Sequence, residues 1–352
     1  MATESSVASQ SQGAFVAYLT RVRPLVEGYL REIAPHATSA SGADNLERYL
    51  YGPLWDFTRG GGKRTRPALC LLGAEAVGGN ARDALPAAAA IETFQSAALI
   101  HDDIADEGEL RRGKPCTYRT EGVGVAINVG DLGIVNTFRL LLDAPDLSDR
   151  VRLRLARELA NMELRTVEGQ ALDLGWARDN RWDVGVDDYL YMASHKTAYY
   201  SGAVPLVMGA ICGGGTDAQV EGLRSFGMDC GLAFQIQDDL LNLVGDAKAQ
   251  GKDFRTDITE GKRTLVAVWS LAYLKGSEHD ELLSLLSGET TDPAKLARAV
   301  ELMERAGGVA HAREYARTLV RTAKSHLSNV DVLDEARATL LSMADFFVER
   351  LD

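Results

Sequence analysis

Two acidic clusters are the first places in this sequence where chemistry is possible. His101-Asp102-Asp103-Ile104-Ala105-Asp106 closes a run, Ala84 to Ile104, that is apolar almost all round apart from Glu92, Gln95 and Ser96. Asp102 and Asp106 are four residues apart, so on a helix they stack one turn above the other on a single face. Carboxylates at that spacing repel each other. A solvated helix end is the plainer explanation of an isolated acidic triplet, but here the acidic face continues a helix that belongs in the centre of a bundle. A hard divalent cation relieves the repulsion, and magnesium is the usual ion where phosphate oxygens share the coordination. The second cluster, Phe234-Gln235-Ile236-Gln237-Asp238-Asp239-Leu240-Leu241-Asn242, ends another apolar run with paired aspartates and an asparagine at the fifth position. On separate core helices, two such clusters can face each other across a cavity and hold metal ions between them.

Cations accompany both clusters. Gly61-Gly62-Lys63-Arg64-Thr65-Arg66-Pro67 sets three of them beside a flexible glycine loop. It is not a Walker A loop, because Arg64 follows Lys63 where Ser or Thr is needed and the upstream glycine is misplaced. Arg111-Arg112-Gly113-Lys114 begins five residues beyond Asp106, and Lys196-Thr197, Lys252 and Lys262 come later. One basic run alone is usually a solvated surface. Acidic metal-binding clusters joined to several cations suit a diphosphate, which metal bridges and Arg forks bind in pairs of hydrogen bonds. Gly-x-Gly-x-x-Gly, Gly-x-Ser-x-Gly and His-Glu-x-x-His are all absent.

The elements that must position these residues read as one helix after another. Of 352 residues only 9 are proline, and no sustained alternation indicates a sheet. Val151 to Trp176 and Gly308 to Leu327 repeat apolar residues every three to four positions. Residues 1–12, rich in Ser and Gln, are expected to be a disordered tail, and 13–352 a single domain. The hydrophobic share of 46% with 25% charged residues is that of a globular chain. A net charge of -12 argues against a nucleic-acid partner. Four scattered cysteines, Cys70, Cys116, Cys212 and Cys230, suit reduced thiols in a cytoplasmic protein. The N-terminus lacks the pattern of a secretory signal, and no apolar stretch is expected to reach the roughly 18 residues of a membrane span.

Taken together, these motifs resemble the trans-polyprenyl diphosphate synthase family, which includes farnesyl and geranylgeranyl diphosphate synthases. The resemblance rests on Asp102-Asp103-x-x-Asp106 with Arg111-Arg112-Gly113, and on Gly61-Gly62-Lys63-Arg64-x-Arg66-Pro67. It extends through Gly130-Asp131, Gly169-Gln170-x-x-Asp173, Lys196-Thr197, Phe234-Gln235-x-x-Asp238-Asp239 and Glu260-Gly261-Lys262-x-Thr264, in the family's order. Gly307-Gly308 and Arg350 also fit, and the match runs from about residue 14 to the end.

The family's properties are implied, not read from spacing. They are an all-α bundle of the isoprenoid synthase type with a central active-site cavity, a homodimer, and head-to-tail condensation of isopentenyl diphosphate with a dimethylallyl, geranyl or farnesyl diphosphate. Asp102 and Asp106 would bind two Mg2+ ions and Asp238 a third, with Mn2+ as a substitute, while Asp103 and Asp239 support the metal shell. Arg111, Lys196 and Lys262 would neutralise the leaving diphosphate, with Lys252 a further substrate cation. The Gln235 side chain and backbone carbonyls near Lys196 and Thr197 would steady the allylic cation. Lys63, Arg66, Gln95 and Arg112 would hold isopentenyl diphosphate. Gln95 stands where the family usually has His, and Asn242 where many members have Asp.

Product length is implied by the same resemblance. The chain grows along the helix that ends in the first aspartate motif, where Ala97 and Ala98 are too small to stop a farnesyl chain. Phe94 is the next bulky side chain, which favours a geranylgeranyl product. A class I terpene cyclase and a non-catalytic partner subunit are the alternatives on this fold. The acceptor cations argue against the first, and the retention of both aspartate clusters argues against the second.

Overall fold

A computed structural model describes residues 4–37, 42–245 and 255–349, with residues 4–12 as backbone alone. Lys252 and Arg350 lie outside the described residues. The architecture is all-helical as expected, and the chain gathers into two compact units whose segments alternate along the sequence.

The first unit comprises Met1–Ala160, Val204–Leu223 and Asp331–Ser342. Its α1 spans Glu4–Glu32. Helix therefore begins at Glu4 where a disordered tail was expected, since no Pro or Gly breaks the Ser/Gln run before Gly13. After α2 (Ala43–Leu46) and a π-helical turn at Glu47–Tyr51 come α3 (Gly52–Arg59), α4 (Thr65–Ala76) and α5 (Leu85–Ala105). Proline at the first turn of α5 and four consecutive alanines start it well, because Pro fits where no donor is needed and Ala loses least on helix formation. Residues Leu85 to Phe94 of this helix are all buried. A two-stranded hairpin, β1 (Leu110–Arg111) and β2 (Lys114–Pro115), leads to α6 (Thr117–Glu121) and α7 (Val123–Leu142). Helix α7 packs along α5, and α10 (Val204–Cys212) packs along α4.

Helix α7 corrects one expectation. By length and composition it is apolar enough to cross a membrane, although only about a third of its most apolar window is buried. Glycines, Asn128, Asp131 and Asn136 interrupt its apolar run, which hid it from a search for unbroken hydrophobicity. Val123, Ile127, Val135 and Leu142 are exposed along it.

The second unit comprises Asn161–Ala203, Arg224–Val330 and Met343–Asp352. Helix α8 (Asp149–Arg178) contributes its C-terminal part, followed by α9 (Val186–Ala193) and a π-helical stretch, Ser194–Ala203. Helix α11 (Asp217–Val244) contributes its residues from Arg224 onward, ahead of α12 (Thr256–Thr259) and α13 (Leu265–Tyr273). Helices α14 (Ser277–Leu286), α15 (Pro293–Arg305), α16 (Gly308–Ser328) and α17 (Asp334–Val348) complete the chain. Helix α15 starts at Asp292, whose carboxylate accepts the Ala294 N–H at 2.8 Å, with Pro293 at the first helical position. Helix α16 buries Val309, Ala312, Ala316, Val320, Ala323 and Leu327, a stripe at three-to-four spacing that packs on α13. Burying each Val or Leu of that stripe stabilises the unit by about 1.5–3 kcal/mol.

Candidate active site

In the first unit, the adjacent carboxylates Asp102 and Asp103 of the first motif are treated differently. Asp102 is partly exposed, whereas Asp103 is buried and locked by Arg111. The Arg111 Nε donates to Asp103 Oδ1 at 2.7 Å, and Nη2 donates to the same oxygen. Nη2 also lies 4.0 Å from Asp102 Oδ2. Burial works against the Arg111 charge, but Asp103 and Asp102 overcome it and hold the guanidinium above its ordinary value. The Cys116 thiol is beside this pair, and burial with the Asp103 charge pushes it up to about 11, so it stays neutral.

The end of α5 is fixed by its neighbours. The Asp106 and Gly108 N–H groups bond back to the carbonyls of Asp102 and Asp103, both at 2.9 Å. His101 lies at 3.1 Å from the Ile127 carbonyl and 3.5 Å from Asp131. A β-carbon on Gly130 would fall 2.2 Å from the His101 ring, so the Gly130-Asp131 pair is the seat of that ring. Ala97 is fully buried against α7, where a β-carbon on Gly133 would come within 2.7 Å of its own. Ala98 is half-buried and Phe94 buried.

Arg112 and Gly113 form the two-residue turn between β1 and β2, with φ of 54° and 75°. Positive φ at both positions is what a type I′ hairpin requires, and it turns Arg112 away from its neighbour Arg111. The Arg112 guanidinium lies over the Phe57 ring at 5.7 Å. A cavity of about 640 Å³ opens here, with Arg48, Arg59, Arg111, Arg112 and Lys114 on its wall against Glu47, Asp56 and Glu121. Of the expected acceptor residues, Lys63 is exposed, and Arg66 and Gln95 are half-buried.

In the second unit, a buried carboxylate gathers the lysines. Asp173, 3% exposed, accepts a hydrogen bond from Lys196 Nζ and has Lys262 Nζ at 3.6 Å. Lys262 also pairs with Glu260 at 3.3 Å. Burial alone would raise the Asp173 pKa, but Lys196 and Lys262 outweigh it and hold the carboxyl below its ordinary value. A β-carbon on Gly169 would lie 2.2 Å from the Lys196 nitrogen, so glycine is what lets α8 touch the π-helical stretch there. Such wide turns recur at functional sites because they redirect backbone groups. Thr197, in the same stretch, is buried.

The second aspartate pair repeats the division seen in the first. Asp238 is partly exposed and Asp239 buried. Asp239 accepts from Tyr189 Oη and Gln235 Nε2, each at 2.7 Å. Burial, with Asp238 and Asp173 nearby, raises its pKa to about 7 against the effect of those hydrogen bonds. The Asp257 carboxyl, partly buried near Asp239, is also raised, by desolvation and by the Asp239 charge. Asn242 has another task. Its Nδ2 donates to Thr256 Oγ1 at 3.0 Å and its Oδ1 accepts the Asp257 N–H at 3.2 Å, tying α12 to the end of α11.

The donor set fits magnesium bound together with phosphate. In each pair the buried aspartate is locked by other side chains and the partly exposed one presents hard oxygens. Among the described residues no three His, Cys, Asp or Glu side chains gather into a protein-only cage. That combination suits an ion that takes one or two carboxylates and completes its shell with phosphate and water. Asp173 and Tyr189 were not among the expected site residues. The Gly169-Gln170-x-x-Asp173 spacing contained the signal for the first, while Tyr189 on an amphipathic helix reads as ordinary core.

Known proteins resemble this chain in sequence and in fold. A short-chain isoprenyl diphosphate synthase from Methanothermobacter thermautotrophicus is 40% identical over 82% of this chain and 87% of its own length. A geranylfarnesyl diphosphate synthase from Natronomonas pharaonis is 37% identical over 91% and 95%. The crystal structure of geranylgeranyl pyrophosphate synthetase from Pyrococcus horikoshii superposes with a TM-score of 0.85 at 30% identity, covering 96% of this chain and 98% of that one. The polyprenyl synthetase family model matches residues 47–303, and the chain belongs to that family.

Proposed function

We propose that the protein joins isopentenyl diphosphate head to tail to a dimethylallyl, geranyl or farnesyl diphosphate, with geranylgeranyl diphosphate as the main product. One observation carries this reading: there are two separate cation groups, one in each unit. Arg112, with the 640 Å³ cationic cavity beside it, belongs to the first unit, and the Lys196–Asp173–Lys262 group to the second. A condensation of two diphosphates needs two such groups, whereas a terpene cyclase handles one diphosphate.

The roles follow from the side chains. Asp102 and Asp106 would hold two magnesium ions and Asp238 a third. Bound magnesium, or manganese in its place, supplies Lewis-acid neutralisation of the departing diphosphate. Lys196 and Lys262 add fixed positive charge on the allylic side, and Asp173 keeps both ammonium groups in place. Arg111 stiffens the first motif through Asp103. Gln235 donates its amide N–H to Asp239, which leaves its carbonyl oxygen for the developing allylic cation. The Thr197 backbone region serves the same cation. Lys63, Arg66, Gln95 and Arg112 hold isopentenyl diphosphate, whose double bond attacks, and the final proton goes to the released diphosphate. The apolar helices keep water from the cation.

A second copy of the chain covers the exposed Val123, Ile127, Val135 and Leu142 of α7, giving a homodimer. The free thiols Cys70, Cys116, Cys212 and Cys230 support a cytoplasmic setting. The test is incubation with magnesium, isopentenyl diphosphate and each allylic primer, followed by sizing of the products. Elongation to geranylgeranyl diphosphate is expected. Turnover of an allylic diphosphate to hydrocarbon without isopentenyl diphosphate, or no turnover at all, refutes the assignment.

A further inference from the structure

Arg64 is the cation of the Gly61-to-Pro67 run that none of the roles above uses, and it is the buried one, 4% exposed. Its backbone is left-handed, φ 52° and ψ 35°, at the head of α4, a conformation that a β-carbon disfavours. Two hydrogen bonds hold it there, and Glu27 Oε1 lies 3.9 Å from its Nε. Nη1 donates to Glu92 Oε1, and Nη2 donates to the Thr58 carbonyl at 2.7 Å.

Glu92 is itself 3% exposed, on α5, three residues before Gln95. A carboxylate buried that deeply is costly unless it is paired. It also acts on Arg112. Burial weighs most against the Arg112 charge, Glu92 is the largest influence in its favour, and Arg64, Arg111 and Arg66 oppose it. Four guanidiniums thus crowd one corner of the first unit, where buried Asp103 pairs with Arg111 and buried Glu92 with Arg64. The Gly62 position is part of the same packing, since a β-carbon there would lie 3.4 Å from Arg112 Nη2.

We propose that Glu92 is a positioning residue for the acceptor diphosphate: by anchoring Arg64 it fixes the glycine loop that carries Lys63 and Arg66, against which Arg112 packs at Gly62. This rests on the assignment of Lys63, Arg66 and Arg112 to isopentenyl diphosphate. Arg64 turned inward places its neighbours Lys63 and Arg66 toward the accessible side, where both are at least partly exposed. Without Glu92 the guanidiniums repel and the loop loses its single conformation, so affinity for the acceptor falls while the chemical step is spared.

The test is Glu92→Gln, read by calorimetric titration of isopentenyl diphosphate alone and by steady-state kinetics. Acceptor binding is expected to weaken roughly ten- to hundredfold, with the allylic KM and the kcat at saturating acceptor within about threefold of native. Glu92→Asp, which keeps the charge, is expected to recover much of the loss. Glu92→Gln leaves the buried guanidinium with only Glu27, 3.9 Å away, as a carboxylate partner, so the double variant Arg64→Met with Glu92→Leu removes both buried charges and is expected to fold with the same acceptor defect. Native acceptor affinity in either folded variant overturns the proposal, as does an equal loss for both substrates or failure of both variants to fold. If the native protein elongates nothing with isopentenyl diphosphate, the functional assignment fails and takes this inference with it. Native elongation with unaltered variants sinks the inference alone.

Discussion

Substitution of Ala98 by Phe is expected to shorten the product to farnesyl diphosphate. Phe94, Ala98 and Asp102 occupy successive four-residue steps on α5, so they share one stripe. At a rise of about 1.5 Å per residue, Ala98 lies about 6 Å and Phe94 about 12 Å below Asp102 along the axis. A ring at 98 removes about 6 Å of room for the growing chain, close to one isoprene unit. Ala97 is a poorer place for that ring. It packs on α7 at Gly133, so a phenyl group there must displace a helix, at a cost of about 1–3 kcal/mol, before it meets any substrate. Phe94→Ala opens the stripe downward and is expected to give geranylfarnesyl diphosphate. The assay is incubation with labelled isopentenyl diphosphate and dimethylallyl diphosphate, dephosphorylation, and reversed-phase separation of the alcohols. Thermal unfolding runs in parallel, and Ala97→Phe should melt lower than Ala98→Phe. Identical product distributions in Ala98→Phe, Phe94→Ala and the native protein would show that this face of α5 does not set chain length.

Asp102→Ala, or excess chelator, is expected to lower kcat by about 10³-fold or more, because the metal-held charge at the leaving group is lost; retention of most turnover refutes the metal assignment. Lys63→Ala should raise the apparent KM for isopentenyl diphosphate and Lys262→Ala that for the allylic primer, each by roughly tenfold or more as a charge-assisted hydrogen bond is removed. Loss for the same substrate in both would show that the cations are divided wrongly. Asp173→Asn should destabilise the protein by about 1–3 kcal/mol at neutral pH. Lys196 and Lys262 hold the Asp173 pKa down, so its contribution is full above the unfolded carboxyl value and is lost as pH falls through the lower folded value. Denaturant titrations at pH 7 and below pH ~4 should therefore show the native and Asp173→Asn curves converging in acid.

Both aspartate clusters stand out in the sequence by context, as acidic residues closing an apolar run, and the first also by spacing, with Asp102 and Asp106 one turn apart. The helical class was legible for a similar reason, since α15 and α16 show their buried stripes directly. What escaped is what depends on pairing between distant segments. Nothing local distinguishes Asp103 from Asp102, yet one is buried and hydrogen-bonded by Arg111 while the other is partly exposed. Asn242 looked like a weakened metal ligand, but its carbonyl is taken by the Asp257 N–H fifteen residues on. Tyr189 carries no signal of its own until α9 sets its hydroxyl against Asp239. The π-helical stretch at Ser194–Ala203 was hidden because its sequence is compatible with an ordinary helix.

The hairpin after α5 also limits how this segment can vary. Arg111 and Arg112 are chemically identical neighbours, and only the turn that begins between them sends one to Asp103 and the other over Phe57. The distinction between them is one of register, not of residue type. A single residue inserted before Gly113 would move the turn, and with it the choice of which guanidinium faces inward, while leaving both arginines in place. Loop-length change at this point is therefore more damaging than replacing either arginine alone, and a library that diversifies this segment should hold its length constant.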